Sequence, residues 1–202
     1  MDKSKTKFFI ELSVFIIILI SIVAVIATFW PRYEERFIEF GLLGKNKTAE
    51  EYFPNDNPIL QVGDSINWFI YVHNHLGFSK NVSIRIKIVN SLLDVLNANK
   101  NEPSSQPTLI ELPLFLSVDE TNFVPFSWTI LETSHNDTLV ILKQLLINDQ
   151  IVYLDLPASP ESSFSLIFEL WSYDQDSGEY HYEQEIDDGF SSISLNIGFQ
   201  IS

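Results

Sequence analysis

The chain has 202 residues, no cysteine and a formal net charge of −15. The missing cysteine excludes a disulfide framework, a thiolate zinc site and a cysteine nucleophile, and the length allows one anchor plus one domain with a core of its own. Charge is unevenly spread: three lysines meet two acids ahead of Pro31, whereas the rest of the chain holds 9 basic and 25 acidic residues. Lys143 is the last basic residue, and eleven acidic ones follow it, from Asp149 to Asp188. An acidic surface of this kind keeps a domain soluble in salt and repels nucleic acid and anionic headgroups, so no nucleic-acid partner is expected.

Residues 12–30, LSVFIIILISIVAVIATFW, carry no charge. As a helix these nineteen residues would span about 28 Å, close to the hydrocarbon thickness of a bilayer. Their β-branched side chains favour a strand in water, but in lipid the backbone must satisfy its own hydrogen bonds and a helix wins. Trp30 and Tyr33 fall where an interfacial aromatic belt belongs, and Pro31 marks the expected helix end. Lys3, Lys5 and Lys7 precede the run, and Arg32 and Arg36 follow it, which points to the N-terminus inside. Val25-Ile26-Ala27 would also serve as the cleavage site of a signal peptide. The run is longer than a signal core and has no polar stretch before that site, so it reads as an anchor. The expected organisation is a cytoplasmic segment 1–11, a transmembrane helix 12–30 in the plasma membrane, and an extracytoplasmic domain 31–202.

Beyond the anchor the hydrophobic period becomes two. Ser65–Asn74 puts Ile66, Trp68, Ile70 and Val72 on one face. Lys80–Asn90 alternates Val82, Ile84, Ile86 and Ile88 inward with Ser83, Arg85 and Lys87 outward. Residues 192–202 repeat the pattern with Ile193, Leu195, Ile197, Phe199 and Ile201. Further strands are predicted at 36–43, 109–116, 123–131, 151–156 and Phe164–Tyr173. Residues 138–147 fit a strand or a short helix, with the strand preferred because Asn148-Asp149 would turn it back onto 151–156. Gly, Pro, Asn and Asp clusters separate these runs, and 97–107 reads as a polar loop. The pattern predicts a mainly β fold: an immunoglobulin-like antiparallel β-sandwich preceded by one transmembrane α-helix.

The order RFIEFGLLG, Ala49-Glu50-Glu51-Tyr52, VGDSINWFIYVHNHLG and VSIRIKIVN resembles the archaeal membrane-anchored proteins of the domain of unknown function 1616 family. The resemblance covers roughly residues 35–90 and extends through FELWSYD to about residue 175. It implies an envelope-facing, sandwich-like domain on a membrane anchor and supplies no catalytic or binding residues.

Three groups of residues could carry chemistry. His73 and His75, two apart on an extended segment, would project to one side as a copper or zinc site requires, although no third ligand is evident nearby. Asp174, Asp176 and Glu179, with Asp187 and Asp188 close by, form an oxygen-rich segment that could hold calcium. Counted from Asp174, Gly178 is fifth rather than sixth, so the EF-hand spacing fails even though Glu185 falls twelfth. A turn rich in Asp, Ser and Gly explains the same residues. Asn46-Lys47-Thr48, Asn81-Val82-Ser83 and Asn136-Asp137-Thr138 are N-glycosylation acceptor sequences.

No Gly-x-Ser-x-Gly elbow, phosphate-binding glycine loop or His-Glu-x-x-His occurs, so no enzyme and no cofactor are expected. The leading expectation is a non-enzymatic envelope protein whose sandwich contacts a protein or glycan, as an accessory to a larger membrane assembly. The alternatives are a calcium-stabilised adhesion module using the acidic segment and a metal-binding protein using His73 and His75.

Overall fold

In a computed structural model of the chain the backbone is described except at residues 1–2, 30–35, 91–101, 137, 160–162 and 187–188, and side chains are described except at those positions and at 3–11, 27–29, 183–186 and 189–192. Trp30, Pro31, Arg32 and Tyr33, the start of the 97–107 loop, and Asp187 and Asp188 therefore lie outside the described residues. Two units are distinguished, Met1–Glu34 and Glu35–Ser202.

The first unit is the helix α1, Lys3–Phe29. Leu12, Val14, all six residues from Phe15 to Ile20, Ile22, Val23, Val25 and Ile26 are exposed, so apolar side chains occupy every face. Among the described residues no helix is long and apolar enough to cross a membrane.

The second unit is mainly β. Its strands are β1 (Ile38–Leu43), β2 (Ile59–Leu60), β3 (Ser65–Asn74), β4 (Lys80–Asn90), β5 (Ile110–Leu116), β6 (Thr121–His135), β7 (Val140–Ile147), β8 (Gln150–Ala158), β9 (Phe164–Tyr173), β10 (Tyr180–His181), β11 (Glu183–Ile186) and β12 (Gly189–Ile201). One sheet has the order β1-β3-β6-β7-β8. The other runs β11-β12-β9-β4-β5, with β10 added to β9 and β2 to β12. The pairings are antiparallel except for β2 with β12, which is parallel and joins Ile59 and Leu60 to Gln200 and Ile201. Within the 138–147 run the strand is Val140–Ile147, and this β7 turns through Asn148 and Asp149, both with positive φ, into β8. Such turn geometry matches the right-handed twist of the flanking strands, and Asn and Asp tolerate it.

Period two becomes burial. Ile66, Trp68, Ile70 and Val72 on β3 and Val82, Ile84, Ile86 and Ile88 on β4 all point into the space between the sheets and are buried. Trp68 sits at its centre, within ring-to-ring distances of 5.7 Å of Phe53, 6.1 Å of Phe126, 5.5 Å of Trp128 and 6.2 Å of Phe168. Leu195 and Ile197 on β12 pack against this core but are only half-buried. Pro125 lies in the middle of β6 without breaking it: Phe69 of β3 pairs with it on one side, and β7 stops at Ile147 opposite Trp128, so no partner needs the missing N–H.

The sequence reading placed Ser83 and Lys87 outward, and the structure shows that outward is not exposed here. Ser83 is fully buried and Lys87 nearly so, because the outer face of β4 and β9 is covered. Ser104, in the segment leading to β5, accepts a hydrogen bond from Lys87 Nζ through its carbonyl at 2.5 Å and donates its N–H to Glu169 Oε1 at 2.6 Å. Lys87 pairs with Glu169 Oε2 at 2.9 Å, and Trp171 Nε1 donates to that same oxygen at 3.1 Å. Arg85 stacks on the Trp171 ring at 3.9 Å and pairs with Glu111. A lysine beside a glutamate can be buried only when each is answered by polar partners, as these are.

Two stability outcomes follow from this packing. Ile86→Ala should cost about 2–5 kcal/mol in chemical denaturation, and a loss near zero would mean the inner face is wrongly assigned. Glu169→Ala should cost about 3–5 kcal/mol by stranding Lys87, and replacing both members of the pair with Met and Leu should cost less than the single change.

Candidate functional site

The register of β1 on β3 places Glu39 directly opposite His73. The His73 and His75 rings stack with centroids 4.0 Å apart, and Phe37 extends the stack at 4.6 Å from His75. Thr121 Oγ1 lies 2.5 Å from His73 Nδ1, and Glu39 Oε2 lies 3.6 Å from His75 Nε2. Tyr71 donates its hydroxyl to the same Glu39 oxygen at 2.9 Å. Loss of solvent, then the hydrogen bond to the Glu39 carboxylate and its charge, push the Tyr71 phenol above its ordinary value. Glu39 and Thr121 were invisible from sequence, since neither adjoins the histidines until the strands pair. Stacked imidazoles set their in-plane lone pairs side by side rather than converging. Among the described residues no group of three His, Asp or Glu side chains is disposed to hold a metal ion.

Asp174 closes the turn between β9 and β10. Its Oδ1 accepts N–H bonds from Asp176 at 2.7 Å and Ser177 at 3.0 Å, while Gly178, at φ +72°, donates to the Asp174 carbonyl. These backbone bonds, Ser177 first, hold the Asp174 carboxyl below the ordinary carboxylate range, helped by the charges of His181 and Lys80. One oxygen that calcium would need is therefore committed to the turn. Ser177 Oγ lies 2.9 Å from His181 Nε2, so the far side of the turn is also hydrogen-bonded. Asp176 and Glu179 project from the same turn and are exposed. Asn46, Asn81 and Asn136 are exposed as well, the first in the loop after β1, the second at the start of β4 and the third between β6 and β7.

Composition gave no signal for the cleft at the end of the sandwich where β1 finishes and β3 begins. It has a volume of about 350 Å³ and is lined by the segment 51–56 together with Lys45, Ser65, Ile66 and Asn67. Tight turns shape its wall. Gly44 donates to the Thr48 carbonyl, and a Cβ there would lie 2.0 Å from the Glu50 oxygen, so only glycine fits. Asn55 and Asp56 both take positive φ, as a two-residue turn demands. Tyr52 donates its hydroxyl to the Leu42 carbonyl at 2.8 Å and accepts Trp68 Nε1–H at its own carbonyl at 2.5 Å. The wall is thereby bolted to the core, while Asn55, Asp56, Ser65 and Asn67 remain exposed at its mouth.

No protein-family model matches the chain, and no curated protein matches it either. Among solved structures it is similar to a CARDB domain from Pyrococcus furiosus, in complex with di-metal ions, at 8% identity and a TM-score of 0.41, over 84% of this chain and 96% of that one. A likeness at that level transfers neither the metal ions nor any residue's role.

The depressed carboxyls set an acid limit. Glu120, whose side chain accepts the Ser117 N–H at 2.7 Å, is held low by that bond as Asp174 is by its turn. A carboxyl with a lowered folded pKa adds stability above its unfolded value, about 4, and loses it as pH falls through the folded value. Melting temperature should hold from neutral pH down to that range and drop below it. Asp174→Asn, which keeps the turn's acceptor but cannot titrate, should flatten part of the drop, and an unchanged profile would remove Asp174 from the account.

Proposed function

We propose that this chain is a single-pass membrane protein with a cytoplasmic N-terminus, whose extracytoplasmic, immunoglobulin-like sandwich engages a protein or glycan partner and catalyses no reaction. What supports the anchor is the all-round apolar surface of α1, continued in the sequence by uncharged residues up to Trp30. A helix with no polar stripe has no face to offer water. The lysines ahead of it favour the N-terminus inside.

The observation that carries the binding reading is the cleft: exposed amide, hydroxyl and carboxylate groups stand on a wall fixed to the core by the Trp68–Tyr52–Leu42 hydrogen bonds. Preorganised polar groups beside half-buried aromatic rings suit a polar ligand with some apolar surface. No imidazole lines the cleft, so Ser65 has no histidine base beside it. The acidic turn favours calcium less than this reading, since Asp174 serves its own backbone.

Protease added to intact cells should remove the sandwich and leave a membrane-bound fragment beginning at Met1; a mature chain beginning at Thr28 would show a cleaved signal instead. A photo-crosslinking residue at Asn55 or Asn67 in native membranes should capture one discrete partner that the same residue at Gln150 on β8 does not. Adducts identical from all three positions would remove the cleft from the binding account.

A further inference from the structure

The three acceptor sequences are equal as sequence and unequal as structure. At Asn81 the hydroxyl that an oligosaccharyl transferase must reach belongs to Ser83, which is fully buried and donates to Glu111 Oε1 at 2.7 Å. Asn81 itself is paired with Phe115 in the β4–β5 ladder. At Asn46 the acceptor nitrogen is engaged: Nδ2 donates to Glu51 Oε2 at 2.5 Å, and Lys45 Nζ lies 3.8 Å from the same oxygen. The third differs. Asn136 Oδ1 accepts from Thr138 N at 3.0 Å, Thr138 Oγ1 at 3.2 Å and Leu139 N at 2.7 Å, and the Asn136 N–H donates to the Leu139 carbonyl. Asp137 lies outside the described residues, but Asn136 and Thr138 are both exposed. The turn uses the amide oxygen and leaves the amide nitrogen out of these bonds, and it brings the threonine hydroxyl to the amide it must accompany.

We propose that Asn136 is an N-glycosylation site of the folded domain and that Asn81 is not. The inference rests on the extracytoplasmic placement argued above. The donor class is an oligosaccharide on a polyprenyl phosphate or diphosphate carrier. Asn136 Nδ2 bonds to the anomeric carbon, the bond from that carbon to the carrier phosphate breaks with its electron pair leaving on the phosphate, and the amide proton passes to solvent. The hydrogen bonds that shape the turn survive, because all three end on Oδ1. Modification of Asn46 would cost a charge-assisted bond, and modification of Asn81 would require Ser83 to be uncovered.

The test is glycopeptide mass spectrometry on the full chain isolated from its own membranes. Asn136 should carry a glycan in most molecules, Asn46 in fewer and Asn81 in none. Thr138→Ala should remove the added mass at Asn136 without changing the melting temperature, since the Thr138 and Leu139 N–H groups still close the turn. An unmodified Asn136, or occupancy at Asn46 or Asn81 equal to it, overturns the proposal. Because the chain has no cysteine, Val62→Cys on an exposed turn reports placement independently through a membrane-impermeant maleimide on intact cells. Labelling without glycan defeats the glycosylation site alone, and absence of both labelling and glycan defeats the extracytoplasmic reading and this proposal with it.

Discussion

The Trp68 indole does two jobs that this fold cannot separate. Its rings fill the space between the sheets against Phe53, Phe126, Trp128 and Phe168, and its N–H reaches the Tyr52 carbonyl. A buried indole needs an acceptor, and in a β-sandwich the inner faces supply almost none. The loop after β1 has to fold back over the end of the core to provide one. That return brings Phe53 edge-on to Trp68 and leaves the polar residues of the same loop along the cleft. Trp128, its neighbour, has no such loop, and its Nε1 is buried without a hydrogen-bond partner among the described residues. The comparison shows what Tyr52 spares Trp68, a penalty of about 1–3 kcal/mol.

The outer faces follow another logic. On β4 and β9 the structure covers Lys87 and Glu169 with Ser104, Trp171 and the Arg85 stack. On β8, by contrast, Ile151 and Tyr153 are 53% and 74% exposed. Arg85, Lys87 and Lys143 thus lie along the strands with a carboxylate beside each of them. The Glu111 carboxyl is lowered first by the Ser83 hydroxyl and then by Arg85, so even a half-exposed acid on this face belongs to the network.

How much of this could be read beforehand depended on whether the signal was local. β3, β4 and β9 have the bounds predicted for them, because an apolar inner face writes its period into consecutive residues even where, as on β4 and β9, the outer face is covered too. β2 and β10, two residues each, and β11 carry too few positions to show a period. Long-range facts were hidden for a different reason. Ser83 and Lys87 sit at outward positions, and only the course of the chain near Ser104 determines that outward means covered. The placing of Glu39 beside the histidines required the β1–β3 register, and the cleft required Trp68 to find its acceptor. Composition around 44–56 looks like any polar loop; its function-bearing property is where it is tied.

The parallel pairing of β2 with β12 has a consequence for how the domain is made. The first sheet draws its strands from residues 38–158, so all of it is synthesised before β12. The second sheet is different: β12 lies inside it, between β11 and β9, and its final residues also hold β2. Until β12 has left the ribosome or a translocation channel, Trp128 and Phe164, whose rings lie 4.8 Å and 5.7 Å from that of Phe199, lack part of their cover. Closure therefore waits on β12, and contacts this distant in sequence form slowly. Loss of β12 would leave an open half-sandwich prone to pairing with other chains, while a label at Ser202 would sit beside the seam with β2, where its N–H meets the Leu60 carbonyl.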